Sequence, residues 1–117
     1  MQCCMHAIDQ TPLRWPPDLV REQVIEDSYR LKLEIQRCSV CAARYCHCYI
    51  EVFDDSWDFW CEVSADEIAA IGADPQQAIA LIQSRQHVIL APAWKSPHLY
   101  WDAGPAEALR VGPRSWF

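Results

Sequence analysis

The chain has 117 residues, ten basic against sixteen acidic for a formal net charge of −6, and 51% of it is apolar. That length suits a single domain, 1–117, with its own core. The acidic balance speaks against a nucleic-acid ligand, whose phosphates are gripped by Lys and Arg, and favours a basic protein partner.

Residues 1–8 lack the basic and apolar regions of a signal peptide. No stretch approaches the ~20 apolar residues that span a bilayer. The expectation is a cytoplasmic protein that binds no membrane and whose seven cysteines stay reduced.

In chain order, residues 1–17 read as an irregular arm, because Thr11-Pro12 and Trp15-Pro16-Pro17 block helix. Asp18 then caps a short helical candidate over 19–25. Over 29–37 the period changes: Tyr29, Leu31, Leu33 and Ile35 alternate with Arg30, Lys32, Glu34 and Gln36, the period-two mark of a strand with one buried face. Cys38 to Ala43 is a tight connection. Alternation resumes over 44–53, with Cys46, Cys48, Ile50 and Val52 on one face and Tyr45, His47, Tyr49, Glu51 and Phe53 on the other.

Asp54-Asp55-Ser56 has turn chemistry and leads into a third strand over 59–64. Ser64-Ala65-Asp66-Glu67 is a capping box opening a helix that Gly72 is expected to end in a left-handed conformation. Asp74-Pro75 opens a second helix, with proline at its first position. Residues 87–90 and 99–101 read as short strands, and 104–117 as a loose tail. The predicted fold is therefore α+β: a three-stranded antiparallel meander, two following helices and short C-terminal strands.

Cys38-x-x-Cys41 between two pairing strands has the geometry of a zinc knuckle, where a tight turn offers two thiolates to a tetrahedral metal. Two more ligands are then needed. With the next hairpin tip near 54–57, Cys61 falls opposite Ile50 or Glu51, roughly 25–30 Å from the knuckle. Cys46 and Cys48 occupy the apolar face, where cysteine serves as a small hydrophobe. The N-terminal arm is the better donor, so the candidate metal set is Cys38 and Cys41 with Cys3, Cys4 and His6, holding one zinc. The other reading is a plain turn with reduced thiols.

Cys46-His47-Cys48 is no nucleophile–base pair, because neighbours on a strand point to opposite faces; His47 then reads as a surface residue. There is no metalloprotease, phosphate-loop or nucleophile-elbow motif, and no catalytic residue is assigned. A thiol-dependent enzyme ranks last among the readings.

The hairpin supplies a different candidate. Asp54, Asp55, Trp57, Asp58, Trp60 and Glu62 place carboxylates around two tryptophans. Surface aromatics mark binding hot spots, and carboxylates around them steer a basic partner. The competing reading is that the later helices cover this face and bury Trp60.

The run Arg37-Cys38-Ser39-Val40-Cys41-Ala42-Ala43-Arg44-Tyr45 leads into an aromatic strand ending Glu51-Val52-Phe53-Asp54. A Trp-containing hairpin and Val63-Ser64-x-x-Glu67 follow. Over about residues 31–68 this resembles a group of small bacterial proteins with a CxxCG knuckle ahead of an aromatic strand. In size and charge the chain is similar to immunity proteins of bacterial toxin pairs. Ala42 stands where the knuckle has glycine. The resemblance implies a non-enzymatic domain that binds and neutralises a basic toxin, with a small zinc-binding structural or regulatory module as the alternative.

Overall fold

The structure, a computed structural model, describes residues 5, 8, 15–28, 31–52, 55–90 and 99–102. They form β1 (Leu19–Asp27), β2 (Leu31–Cys38), β3 (Arg44–Val52), β4 (Asp55–Glu62), α1 (Ala65–Ala73), α2 (Gln76–Ser84), β5 (His87–Leu90) and β6 (Leu99–Asp102). All six strands join one antiparallel sheet in the order β1-β2-β3-β4-β5-β6. The α+β class holds. The expected three-stranded meander is the middle of a wider sheet.

Alternation gives that sheet two buried faces. Leu33, Ile35, Cys46, Cys48, Ile50, Phe59 and Cys61 project to one side, where Ile71 of α1 and Ala78, Ile79 and Ile82 of α2 pack over them. Cys38, Tyr45, Trp60, Val88 and Leu99 project to the other, joined by Met5 and Ile8. The helices thus cover the face opposite Trp60, which lies fully buried beneath the N-terminal residues. Truncating a buried tryptophan costs about 3–5 kcal/mol, so Trp60 is a structural anchor.

Residues 19–25 lie in a strand and not in a helix. β1 pairs with β2 from Leu19↔Cys38 to Asp27↔Lys32, with register shifts between Arg21 and Gln23 and between Val24 and Glu26. Each bulge inserts an extra residue, which turns a period of two into spacing that imitates a helical face. Val20 and Val24 stay about half exposed. Ser28 closes the connection to β2, its N–H and hydroxyl both donating to the Leu31 carbonyl at 3.0 and 2.9 Å.

The third strand also starts earlier than expected, at Asp55, so Asp55, Ser56 and Trp57 are strand and the described pairing of β3 with β4 runs to Val52↔Asp55. Cys61 consequently faces Cys46, and its expected place opposite Ile50 or Glu51 is corrected. α1 carries the capping box: Ser64 Oγ accepts from the Glu67 N–H at 3.2 Å and Glu67 Oε1 accepts from the Ser64 N–H at 2.9 Å. It runs through Gly72, however, and ends at Asp74, whose φ of −145° is ordinary extended backbone. Pro75 is the N-cap of α2, one residue before its first turn.

The Cys38–Ala43 connection is a four-residue turn. The Ala42 N–H donates to the Cys38 carbonyl at 2.9 Å, and the Cys38 N–H donates to the Ala43 carbonyl at 2.9 Å. Ala42 has φ 64°, the left-handed conformation that glycine adopts without a Cβ clash. Ala42 therefore keeps the knuckle's backbone shape. Among the described residues no helix is long and apolar enough to cross a membrane.

Candidate functional site

The most organised polar feature lies on the sheet face away from the helices. Register puts Glu34 opposite His47 and His47 opposite Trp60, so three central strands contribute one residue each to a single row. Asp58 and Gln36 sit diagonally beside it, within reach of long side chains.

His47 is buried, not the surface residue expected from its neighbours. Its Nδ1 lies 2.9 Å from Glu34 Oε1 and its Nε2 lies 2.7 Å from Asp58 Oδ1. With a carboxylate at each nitrogen, the doubly protonated ring can donate to both; Gln36 Nε2 also lies 3.3 Å from Nδ1. Glu34 also accepts from Gln36 Nε2 at 2.6 Å and from Arg21 Nε. Trp60 Nε1 donates to Gln36 Oε1 at 2.9 Å, which orients that amide with its nitrogen toward Glu34. The His47 ring stacks on Trp60 at 4.5 Å between centroids and 9° between planes. Trp15 stands perpendicular to both, at 5.4 Å from His47 and 5.1 Å from Trp60.

The electrostatics follow from these contacts. Burial works against the charged His47 ring, but the bonds to Asp58 and Glu34 outweigh it and raise its pKa above the ordinary value. The bond from His47, then those from Gln36 and Arg21, hold Glu34 at about 2 against the cost of burial. Trp15, Arg21, Lys32 and Tyr49 rise around the row to form an open cleft of about 220 Å³, floored by Glu34, His47 and Asp58. Lys32 Nζ lies over the Tyr49 ring, 5.8 Å from its centroid.

The hairpin residues separate in the fold. Asp54 lies outside the described residues, and Asp55 opens β4. Trp57 turns to the helix side and packs against that core. Asp58 binds His47, and Trp60 is internal. Glu62 is exposed at the opposite end of β4, lining a broad groove with Glu67, Arg85 and Trp101.

Of the metal set, Cys38 is buried and Cys41 exposed, while Cys3, Cys4 and His6 lie outside the described residues. Among the described residues no three His, Cys, Asp or Glu side chains are grouped to hold a metal. Cys46, Cys48 and Cys61 are core thiols; burial pushes Cys61 up to about 12 and raises the other two as well.

Glu34, Gln36, Arg21 and Trp15 escaped sequence reasoning. The signal lay in the register. A hairpin centred between Val40 and Cys41 pairs residues 34 and 47, and one centred between 53 and 54 pairs 47 and 60. Placing the second tip near 54–57 slid His47 away from Trp60. No family model, curated protein or solved structure matches the chain.

Proposed function

We propose that this is a non-enzymatic protein-binding domain that captures a basic partner, in the manner of an immunity protein neutralising a toxin. The docking surface is the acidic end of the sheet beside the Trp15 cleft. The observation that carries the reading is how the charges are distributed.

Four described arginines are used internally: Arg21 on Glu34, Arg37 and Arg44 on Glu22, and Arg85 on Glu67. Glu26, Asp27 and Glu51 have no described cation within 4 Å, and register brings them to the sheet end where β3 finishes and β4 starts. Asp54 and Asp55 add to that end in sequence. Uncompensated carboxylates of one sign steer a basic partner and speed its association. Trp15, Arg21 and Tyr49 alongside are the residue types that concentrate binding energy. A non-enzymatic role is supported by His47, whose two nitrogens are both committed to carboxylates, and by core thiols that burial keeps protonated.

The test is kinetic. Reversing Glu26, Asp27 and Glu51 to lysine is expected to slow association with the partner by tenfold or more and to flatten its salt dependence. An unchanged association rate would remove this surface from the account.

The Cys38–Ala42 turn favours a second reading, a structural zinc held by Cys38 and Cys41 with donors from Cys3, Cys4 and His6. Its positive φ at Ala42 is the backbone shape a knuckle needs. One zinc per purified chain, with unfolding on chelation, would support it; a metal-free folded chain would end it.

A further inference from the structure

His47 joins the two carboxylates that floor the cleft, and the proposed docking of a partner assigns its ring no contact. Groups from every strand around it converge there. Glu34 of β2 and Asp58 of β4 accept its two protons, and Arg21 of β1 reaches it through Glu34. Lys32 and Tyr49 line the cleft beside it. Trp60 lies under the ring and Trp15 stands against its edge.

We propose that protonated His47 is a latch that seats Trp15 on the sheet face, and that loss of a ring proton releases Trp15 and opens the cleft. The imidazolium does three things that the neutral ring cannot do together. It neutralises one charge between two carboxylates, it donates to both, and it presents a cation to the face of Trp60, the best aromatic acceptor for one. When one proton leaves, a ring nitrogen lone pair points at a carboxylate oxygen 2.7 or 2.9 Å away. That contact is repulsive; at Nδ1 the Gln36 amide nitrogen, 3.3 Å away, can take over as donor, so the Asp58 contact at Nε2 is the one that must part when that nitrogen loses its proton.

Trp15 feels the change directly. It is 47% exposed, and both of its described ring contacts are to the His47–Trp60 stack. Its place on the sheet face is therefore tied to the position of that stack. The network below is fixed from the other side by Gln36, Trp60 and the packed strands. The movable members are therefore Trp15, with Arg21 and Lys32 at the exposed rim. Because Trp15 walls the cleft beside the acidic end, its release would alter the proposed docking surface, but the latch stands whether or not a partner binds there.

The experiment is an NMR pH titration of the full-length protein, following the His47 ring protons and the Trp15 indole N–H, the latter assigned by its absence from a Trp15→Phe spectrum. The expected result is one shared midpoint for both signals, above the ordinary histidine value of 6.5. The Trp15 signal should also lose protection across that midpoint, its exchange rising more steeply with pH than the base-catalysed exchange of the same indole in the urea-unfolded chain. Asp58→Asn, which keeps the shape and removes one anion, should lower that shared midpoint. A Trp15 signal that stays unchanged through the His47 titration would overturn the latch. So would separate midpoints for the two residues, or a His47 midpoint at or below 6.5 in the wild-type protein, a result that needs no variant to fold.

Discussion

Replacing Glu34 by glutamine removes one charge from the centre of the sheet while keeping its shape. The structure sets the size of the effect. Glu34 is held at about 2 against an ordinary 4.5, and each unit of difference between folded and unfolded states is worth 1.36 kcal/mol, so its ionised form stabilises the fold by about 3 kcal/mol. The sign is that of a depressed carboxylate: the contribution is complete above pH 4.5 and is lost as the pH falls through about 2. His47 has the opposite sign, since its pKa is raised: its contribution is complete below 6.5 and fades as the pH climbs through the folded value. The Glu34–His47 contact is one interaction seen from two ends, so the two contributions are not added.

Urea unfolding followed by tryptophan fluorescence at several pH values between 2 and 7 measures this. Glu34→Gln is expected to lie about 3 kcal/mol below wild type at pH 6, with the gap closing toward zero near pH 2. A gap of the same size at pH 2 and pH 6 would mean that packing and not charge is at stake. A gap below about 0.5 kcal/mol throughout, the range of an ordinary surface substitution, would refute the electrostatic account of the network.

Other outcomes follow from the same geometry. Ala42→Gly should raise stability by about 1 kcal/mol, because φ 64° strains an alanine and suits a glycine; thermal or urea unfolding reads this directly, and destabilisation would show that the turn is not left-handed at that residue. Among the described cysteines, Cys41 should be alkylated within minutes in the folded protein, while Cys46, Cys48 and Cys61 react only on unfolding, since they are buried and their thiols are held protonated. Peptide mapping after a timed pulse distinguishes the sites, and rapid labelling of Cys46 or Cys61 would contradict the packing.

Much of this was legible in the sequence, for identifiable reasons. Strict alternation over Leu31–Cys38 and Arg44–Val52 gave the two central strands, since period two is the signature of a pleated element with distinct faces. The Ser64–Glu67 box gave the start of α1, because it depends on local hydrogen bonds alone. The placement of Cys46 and Cys48 on the face opposite His47 also followed from alternation.

What stayed hidden depended on longer-range facts. The two bulges of β1 erased its period. The early start of β4 was hidden by Asp55 and Ser56, whose turn chemistry is overridden by pairing with Val52 and Glu51. A three-stranded sheet needs one cover, so the second buried face around Trp60 became apparent only with six strands and with Met5 and Ile8 packed against it. The Glu34–His47–Asp58 row needed the correct register of two hairpins at once. An error in either separates the three residues.

The central claim is that this acidic domain exists to hold a basic protein. Native mass spectrometry of the wild-type chain, isolated under reducing conditions from the cells that make it, tests that claim most directly. The account predicts a stoichiometric complex with one basic protein, dissociated by raised salt and absent when Glu26, Asp27 and Glu51 are reversed to lysine. A bare chain, or a complex that survives those reversals unchanged, would contradict it; a bare chain carrying one zinc ion would move the reading to the structural metal.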